Sequence, residues 1–277
     1  MVRIVTDSVS DIPADVAQQL RIAIVPLYVR FGSEVYRDGV ELSNSDFYRK
    51  LVTSRRLPTT SAPSPRDFST VYDKLAGETD EILSIHVSSR FTTVHKAALT
   101  GRERMKRKCR VEVIDSLTGA MGEGLIVIAA ARWALEGVAL DELADMVRKA
   151  AQRVHVYMCF ETLEYLNKGG RIGRAESMLG SPLKVNSIIG LEGGEIQPIC
   201  RERRRSRAME RMYSFACKFN SATSLAVEHG AAAEDAEMLA ERLVTSFAKE
   251  RMYLSSISSA VGVHTGPNVI GLSVLEG

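Results

Sequence analysis

The chain has 277 residues, of which 45% are hydrophobic and 25% charged, and its net charge is +2. That length suits two modest α/β domains or one larger one, and so balanced a charge gives no global reason to expect a nucleic-acid partner. The opening MVRIVTDSVSDIP lacks the apolar core of a signal peptide, and the most apolar internal stretch, Gly124 to Leu135, contains Arg132 and is too short to span a bilayer, so a soluble, cytoplasmic protein is expected.

Val2 to Thr6 alternates and reads as a first strand. A helix start follows at Asp11-Ile12-Pro13, with Asp11 available as its cap and Pro13 in the first turn. Ile22 to Val25 and Leu27 to Phe31 read as strand broken by Pro26, and Ser45 to Leu51 as a short helix. The three prolines of PTTSAPSP, Pro58 to Pro65, exclude regular helix there. Phe68, Val71, Tyr72 and Leu75 then mark a helical face. Ile82 to Val87 is a strand, Thr92 to Met105 a helix, and Val111 to Ile114 a strand. Gly122 to Leu135 is an apolar helix, and Asp141 to Val154 is another with Leu143, Val147, Ala150 and Val154 facing inward. Such alternation predicts α/β architecture with mostly parallel sheets flanked by helices.

The second half is punctuated by glycine from Lys168 to Glu195, at 169, 170, 180, 190, 193 and 194. Glu195 to Cys200 reads as strand, Ala208 to Phe219 as helix, Leu225 to Glu228 as strand and Ala236 to Phe247 as a long helix. Ser258 to Val263 and Val269 to Val274 read as terminal strands around HTGPN. A boundary near Tyr157 divides the chain into 1–156 and 157–277.

Few side chains announce chemistry. Ser88 and Ser89, between a strand and a helix, either cap the helix with Thr92 or bind an anion at its free N–H groups. Thr60 and Ser61 lie in a proline-stiffened turn. His264 meets a Gly-Pro turn and can donate to a carboxylate. Arg171 follows two glycines, and its fork suits carboxylate or phosphate. The basic runs Arg102 to Arg110 and Arg201 to Arg207 have no interleaved aromatics and read as solvated surface, with a docking face for an acidic or phosphate partner as the alternative. There is no P-loop, no complete dinucleotide fingerprint, no zinc spacing and no G-x-S-x-G. The four cysteines form no CxxC pair and read as free thiols.

In order and spacing, IVTDSVSDIP, VPLYVRF, DGVELS, PTTSAPSP, HVSS, VIDSLTGAMGEG, LEYLNKGGRI and HTGPNV make the whole chain resemble the DegV family of bacterial fatty-acid-binding proteins. The resemblance implies two α/β domains with a ligand tunnel at their interface. It implies a bound long-chain fatty acid whose carboxylate is held by Thr60, Ser61, Ser88, Ser89 and His264, with Gly266 permitting close approach. Arg171 and Arg203 would lie at the site mouth or face a partner. That partner would be a separate ATP-dependent fatty acid kinase, which phosphorylates the carboxyl group. The chain itself would be no enzyme, with no catalytic residue, cofactor, metal or specific nucleic acid, and a monomer is favoured. Departures from the family pattern occur at Phe91, Thr92 and Thr93, at Asn186 and Ser187, and at Asn268; they bear on acyl selectivity or docking. A stand-alone enzyme for a small anionic metabolite and a basic-surface regulatory or nucleic-acid-binding protein are the alternatives.

Overall fold

The computed structural model describes residues 1–179, 185–219 and 221–277, which leaves Gly180 outside the described residues. The chain runs β1 (Arg3–Asp7), α1 (Ala14–Gln19), β2 (Ala23–Val25), β3 (Tyr28–Phe31), β4 (Glu34–Arg37), α2 (Asn44–Thr53), β5 (Thr59–Ser61), α3 (Pro65–Leu75), β6 (Glu81–His86), α4 (Val94–Glu103), β7 (Arg110–Asp115), α5 (Met121–Leu135) and α6 (Leu140–Ala151). It continues through β8 (Val154–Phe160), α7 (Glu164–Lys168), β9 (Asn186–Glu192), β10 (Glu195–Glu202), α8 (Arg205–Ala216), β11 (Ala222–Gly230), α9 (Ala233–Leu243), β12 (Met252–Ser256), α10 (Ser259–Thr265) and β13 (Val269–Glu276).

The strands form a parallel sheet β2-β1-β6-β7, a six-stranded sheet β10-β9-β8-β13-β11-β12 and a small antiparallel sheet β4-β3-β5. The expectation of mostly parallel sheets therefore holds for the first half alone. In the six-stranded sheet only β11 and β12 pair in parallel. For β9 and β10 the cause is local: they are joined by Gly193 and Gly194, whose positive φ angles of 56° and 81° turn the chain straight back.

Four further readings meet a different local structure. The helix at 141–154 stops at Ala151, and Val154 opens β8. Tyr157, the expected boundary, lies inside that strand. Val156, Met158 and Phe160 of β8 enter one apolar cluster while Tyr157 and Cys159 join another, so β8 is covered on both faces. Residues 259–265 are helix, not strand: Ser258 caps α10 by accepting from the Val261 N–H. Asp11 does not cap α1, whose N-cap is Pro13; its side chain goes elsewhere, as described below.

Helix α5 joins the halves. Eleven of its 15 residues are buried, because it packs with Ile4, Leu83 and Ile85 of the parallel sheet and with Ala226 and Leu275 of the six-stranded sheet in one cluster. Its glycines make this possible. A Cβ at Gly122 would strike Val156 and one at Gly124 would strike the Ser10 carbonyl, one contact on each side. No helix among the described residues is long and apolar enough to cross a membrane.

Candidate functional site

A cavity lies where residues of the two halves meet, with about 730 Å³ of space between its lining atoms, part of it open to solvent. Its wall is built from several elements. Val9 and Val87 follow strands of the parallel sheet, and Gly119 and Ala120 precede α5. Met158, Phe160, Ile189, Leu191 and Ile196 come from β8, β9 and β10, and Ala260 and Val261 from α10. The polar side chains in this wall are Thr60, Thr92, Arg171, His264 and Thr265.

Three of these expected or noted residues converge. Thr60 is the middle residue of β5, so alternation turns it opposite to the exposed Thr59 and Ser61. Its hydroxyl lies 3.0 Å from His264 Nε2, at the last turn of α10. The other ring nitrogen, Nδ1, is buried without a hydrogen-bond partner. A Cβ at Gly169 would collide with that nitrogen, so the glycine allows the chain to pass against the imidazole. Two residues on, Arg171 donates from Nε to the Phe91 carbonyl at 3.2 Å and from Nη1 to the Gly169 carbonyl at 2.7 Å. These bonds hold the guanidinium across the junction of the halves. Burial, reinforced by the Arg171 charge, pushes the His264 imidazole down to about 4. At neutral pH the histidine is uncharged and Arg171 carries the positive charge of the cavity wall.

Ser61, Ser88, Ser89, Gly266 and Arg203 are not among the residues that line the cavity. Ser61 is exposed. Ser88 is buried, but its Oγ donates to the Gly194 carbonyl at 3.4 Å, so it ties the β9–β10 turn to the first half rather than lining the cavity. Ser89 is exposed; its N–H donates to Asp115. Gly266 has a φ of 74° and ends α10, and the close approach it permits is to the ring of Tyr165. Arg203 is exposed between β10 and α8, outside the cavity wall. Thr92 does line the cavity, and so does Phe91. Thr93 is exposed and caps α4 without a side-chain bond. Asn186 and Ser187 are buried at the start of β9. Asn268 has a φ of 60°, a conformation asparagine tolerates better than most residues, which explains its standing where glycine is common.

Thr92 was readable as a capping residue only. Thr265, Met158 and Ile189 carried no signal at all, since an apolar strand residue looks the same beside a cavity as in a packed core. The four cysteines are free, with Cys159 buried. In the basic runs Arg110 is exposed and pairs with Asp141, whereas Arg205 is half-buried and pairs with Asp235.

Fold and site together define an α/β protein of mixed parallel and antiparallel sheets with an apolar cavity that has a small polar end. The chain belongs to the DegV family, whose model, described as "Uncharacterised protein, DegV family", matches residues 1–277. Among its relatives are DegV domain-containing proteins of Streptomyces coelicolor, 35% identical over 99% of this chain and 98% of the relative, and of Caldanaerobacter subterraneus, 32% identical over 98% and 97%. Similar solved structures include a DegV family protein from Thermus thermophilus, described by its fatty acid binding, with a TM-score of 0.91 and 27% identity over 100% of this chain and 99% of that one. DegV of Bacillus subtilis, described as a fatty acid binding protein, gives a TM-score of 0.89 and 27% identity over the same shares.

Proposed function

We propose that this chain binds a long-chain fatty acid in the cavity and presents its carboxylate to a separate ATP-dependent fatty acid kinase for acyl phosphate formation. The observation that carries the reading is the asymmetry of the cavity wall. It is apolar except for a few groups, and Thr60, His264 and Arg171 gather where the wall is part-exposed. Each methylene buried against the apolar wall contributes about 0.8 kcal/mol. The carboxylate requires hydrogen bonds and a counter-charge if it is to leave water. Arg171 supplies the charge, and the hydrogen-bonded Thr60–His264 pair supplies one donor, either the hydroxyl or the Nδ1–H, according to the tautomer.

The fatty-acid binding described for the Thermus and Bacillus relatives supports the ligand class. Against a stand-alone enzyme for a small metabolite stands the composition of the wall, where His264 and Arg171 are the titratable side chains. His264 is a lone candidate base without an acidic partner. The carboxylate end of the ligand, held by part-exposed residues, would be the end a kinase can reach.

The test is binding of a fluorescent fatty acid, cis-parinaric acid, followed by acyl phosphate formation with a fatty acid kinase and ATP. Saturable binding that palmitate displaces, and kinase turnover that requires this protein, are the expected results. Absence of binding would overturn the lipid reading; binding without turnover would overturn the kinase step alone.

A further inference from the structure

A second polar cluster lies at the other end of α10, and none of its carboxylates lines the cavity. Asp11, Asp38, Glu123 and Glu228 are all buried. Each has one oxygen satisfied. Asp11 Oδ1 accepts from the Ser258 N–H at 3.0 Å and Asp38 Oδ1 from the Ser259 N–H at 3.0 Å. Glu228 Oε2 accepts from the Met121 N–H at 3.1 Å, and Glu123 Oε1 from the Thr6 hydroxyl at 2.9 Å. The other oxygen of each, Asp11 Oδ2, Asp38 Oδ2, Glu123 Oε2 and Glu228 Oε1, is buried without a partner. Two buried side chains from neighbouring elements share that condition, the Tyr48 hydroxyl of α2 and the Ser259 hydroxyl of α10.

Asp11 and Glu228 come from opposite halves and meet at Ser255 of β12, which pairs with Glu228 in the sheet and donates its hydroxyl to the Asp11 carbonyl. What faces them is acidic or neutral on every side: Asp38 from the turn after β4, Tyr48 from α2 and Glu123 from α5. Among the described residues no lysine, arginine or histidine forms an ion pair with any of the four acids, and no group of acids there is arranged to hold a metal ion. Two buried carboxylates in contact, without a cation, cannot both be charged at tolerable cost. A proton between them satisfies both orphaned oxygens.

The pair touches the cavity wall indirectly. Asp11 anchors the start of α10 through Ser258, and its carbonyl accepts from the Ser255 hydroxyl of β12. Helix α10 carries Ala260, Val261, His264 and Thr265 into the wall. Glu228 anchors Met121, next to Gly119 and Ala120 of the same wall.

We propose that one proton shared between Asp11 and Glu228 positions α10, and with it His264, against the start of α5, and that loss of this proton to solvent weakens ligand binding. This rests on the lipid-binding reading for its ligand. Asp11 and Glu228 are positioning residues that never contact the ligand. Burial holds Glu228 up to about 7 and raises Asp11 well above the usual carboxylate range, with the Glu228 charge adding to the effect. The signs follow. Glu228 gives up its own proton first, near pH 7, and the remaining proton is the shared one, held into the higher Asp11 range, so affinity is level through neutral pH and falls on the alkaline side, by up to about tenfold per pH unit. Folding stability from the pair is present in full below the unfolded carboxylate values, is lost in part as pH rises to about 7, where Glu228 ionises, and in full only as Asp11 ionises on the alkaline side.

The experiment measures the dissociation constant for cis-parinaric acid from about pH 6 to about pH 10 in the wild type, Glu228→Gln and Asp11→Asn. An amide replaces the shared proton permanently, so the expected result is a falling affinity in the wild type and a flat profile in either variant. A flat wild-type profile, or variants that fall in parallel with it, would overturn the proposal. Thermal melting of the ligand-free proteins over the same range separates the two readings. A stability difference between wild type and Glu228→Gln that shrinks with rising pH supports the shared proton even if no fatty acid binds; a constant difference contradicts it. If neither variant folds, the wild-type infrared band of protonated carboxyl groups decides, by showing or not showing a second decrease on the alkaline side of neutral pH.

Discussion

Helix α10 separates two buried polar clusters that obey different rules. At its C-terminal end, His264 keeps one ring nitrogen unpartnered beside a cavity and a fixed arginine. At its N-terminal end, Asp11, Asp38 and Glu228 each keep one oxygen unpartnered in a closed, acidic interior. An unsatisfied group costs about 1–3 kcal/mol in either place. The first cluster can recover that cost from a ligand, because it opens on empty space and carries net positive charge. The second can recover it only from protons. Unpartnered polar atoms therefore mean different things according to whether a cavity stands in front of them.

The largest expected effect that separates the clusters is their opposite response to pH. The His264 ring is held at about 4, below its ordinary value of 6.5. Its contribution to stability is present above about 6.5 and is lost as pH falls through about 4, a loss of about 3 kcal/mol in all. Chemical denaturation of wild type and His264→Gln should show the wild type losing more stability on acidification; equal losses would place the histidine outside this account. Next in size is Arg171→Ala. Removing a charged hydrogen-bond partner costs about 2 kcal/mol, so fatty-acid affinity should fall about thirtyfold in a direct binding titration. Thr60→Val removes one neutral donor and should cost about 1 kcal/mol, a fivefold loss in the same titration. Smallest are Ser61→Ala and Ser89→Ala, whose side chains are exposed and outside the cavity wall. Both should bind within about twofold of the wild type; a large loss would move the carboxylate site to the Ser88–Ser89 turn.

The parallel sheet and its helices were legible because their residues repeat at clean periods, as Ile82 to Val87 and Phe68 to Leu75 do. The second half was less so. Strand β8 is apolar on both faces and follows α6 after two residues, so its first valine extended the helical pattern. Helix α10 is short and built of small and β-branched residues, which read as strand until Ser258 is seen to cap it. Of the head-group candidates, Thr60, Arg171 and His264 converge in the cavity wall although they are far apart in the chain. The alternation of β5 separates Thr60 from Ser61, and a sequence motif spanning both cannot say which one faces in. Asp11 was read locally, as a cap for α1. Its partner Ser258 is 247 residues away, a contact that only the closed fold creates.

The central claim is that the cavity holds a long-chain fatty acid. Native mass spectrometry of the purified protein, followed by denaturing extraction and identification of what is released, tests it most directly. The expected result is a stoichiometric adduct with the mass of a long-chain fatty acid, lost or weakened in Arg171→Ala. A ligand-free mass that persists after incubation with long-chain fatty acids would contradict the claim.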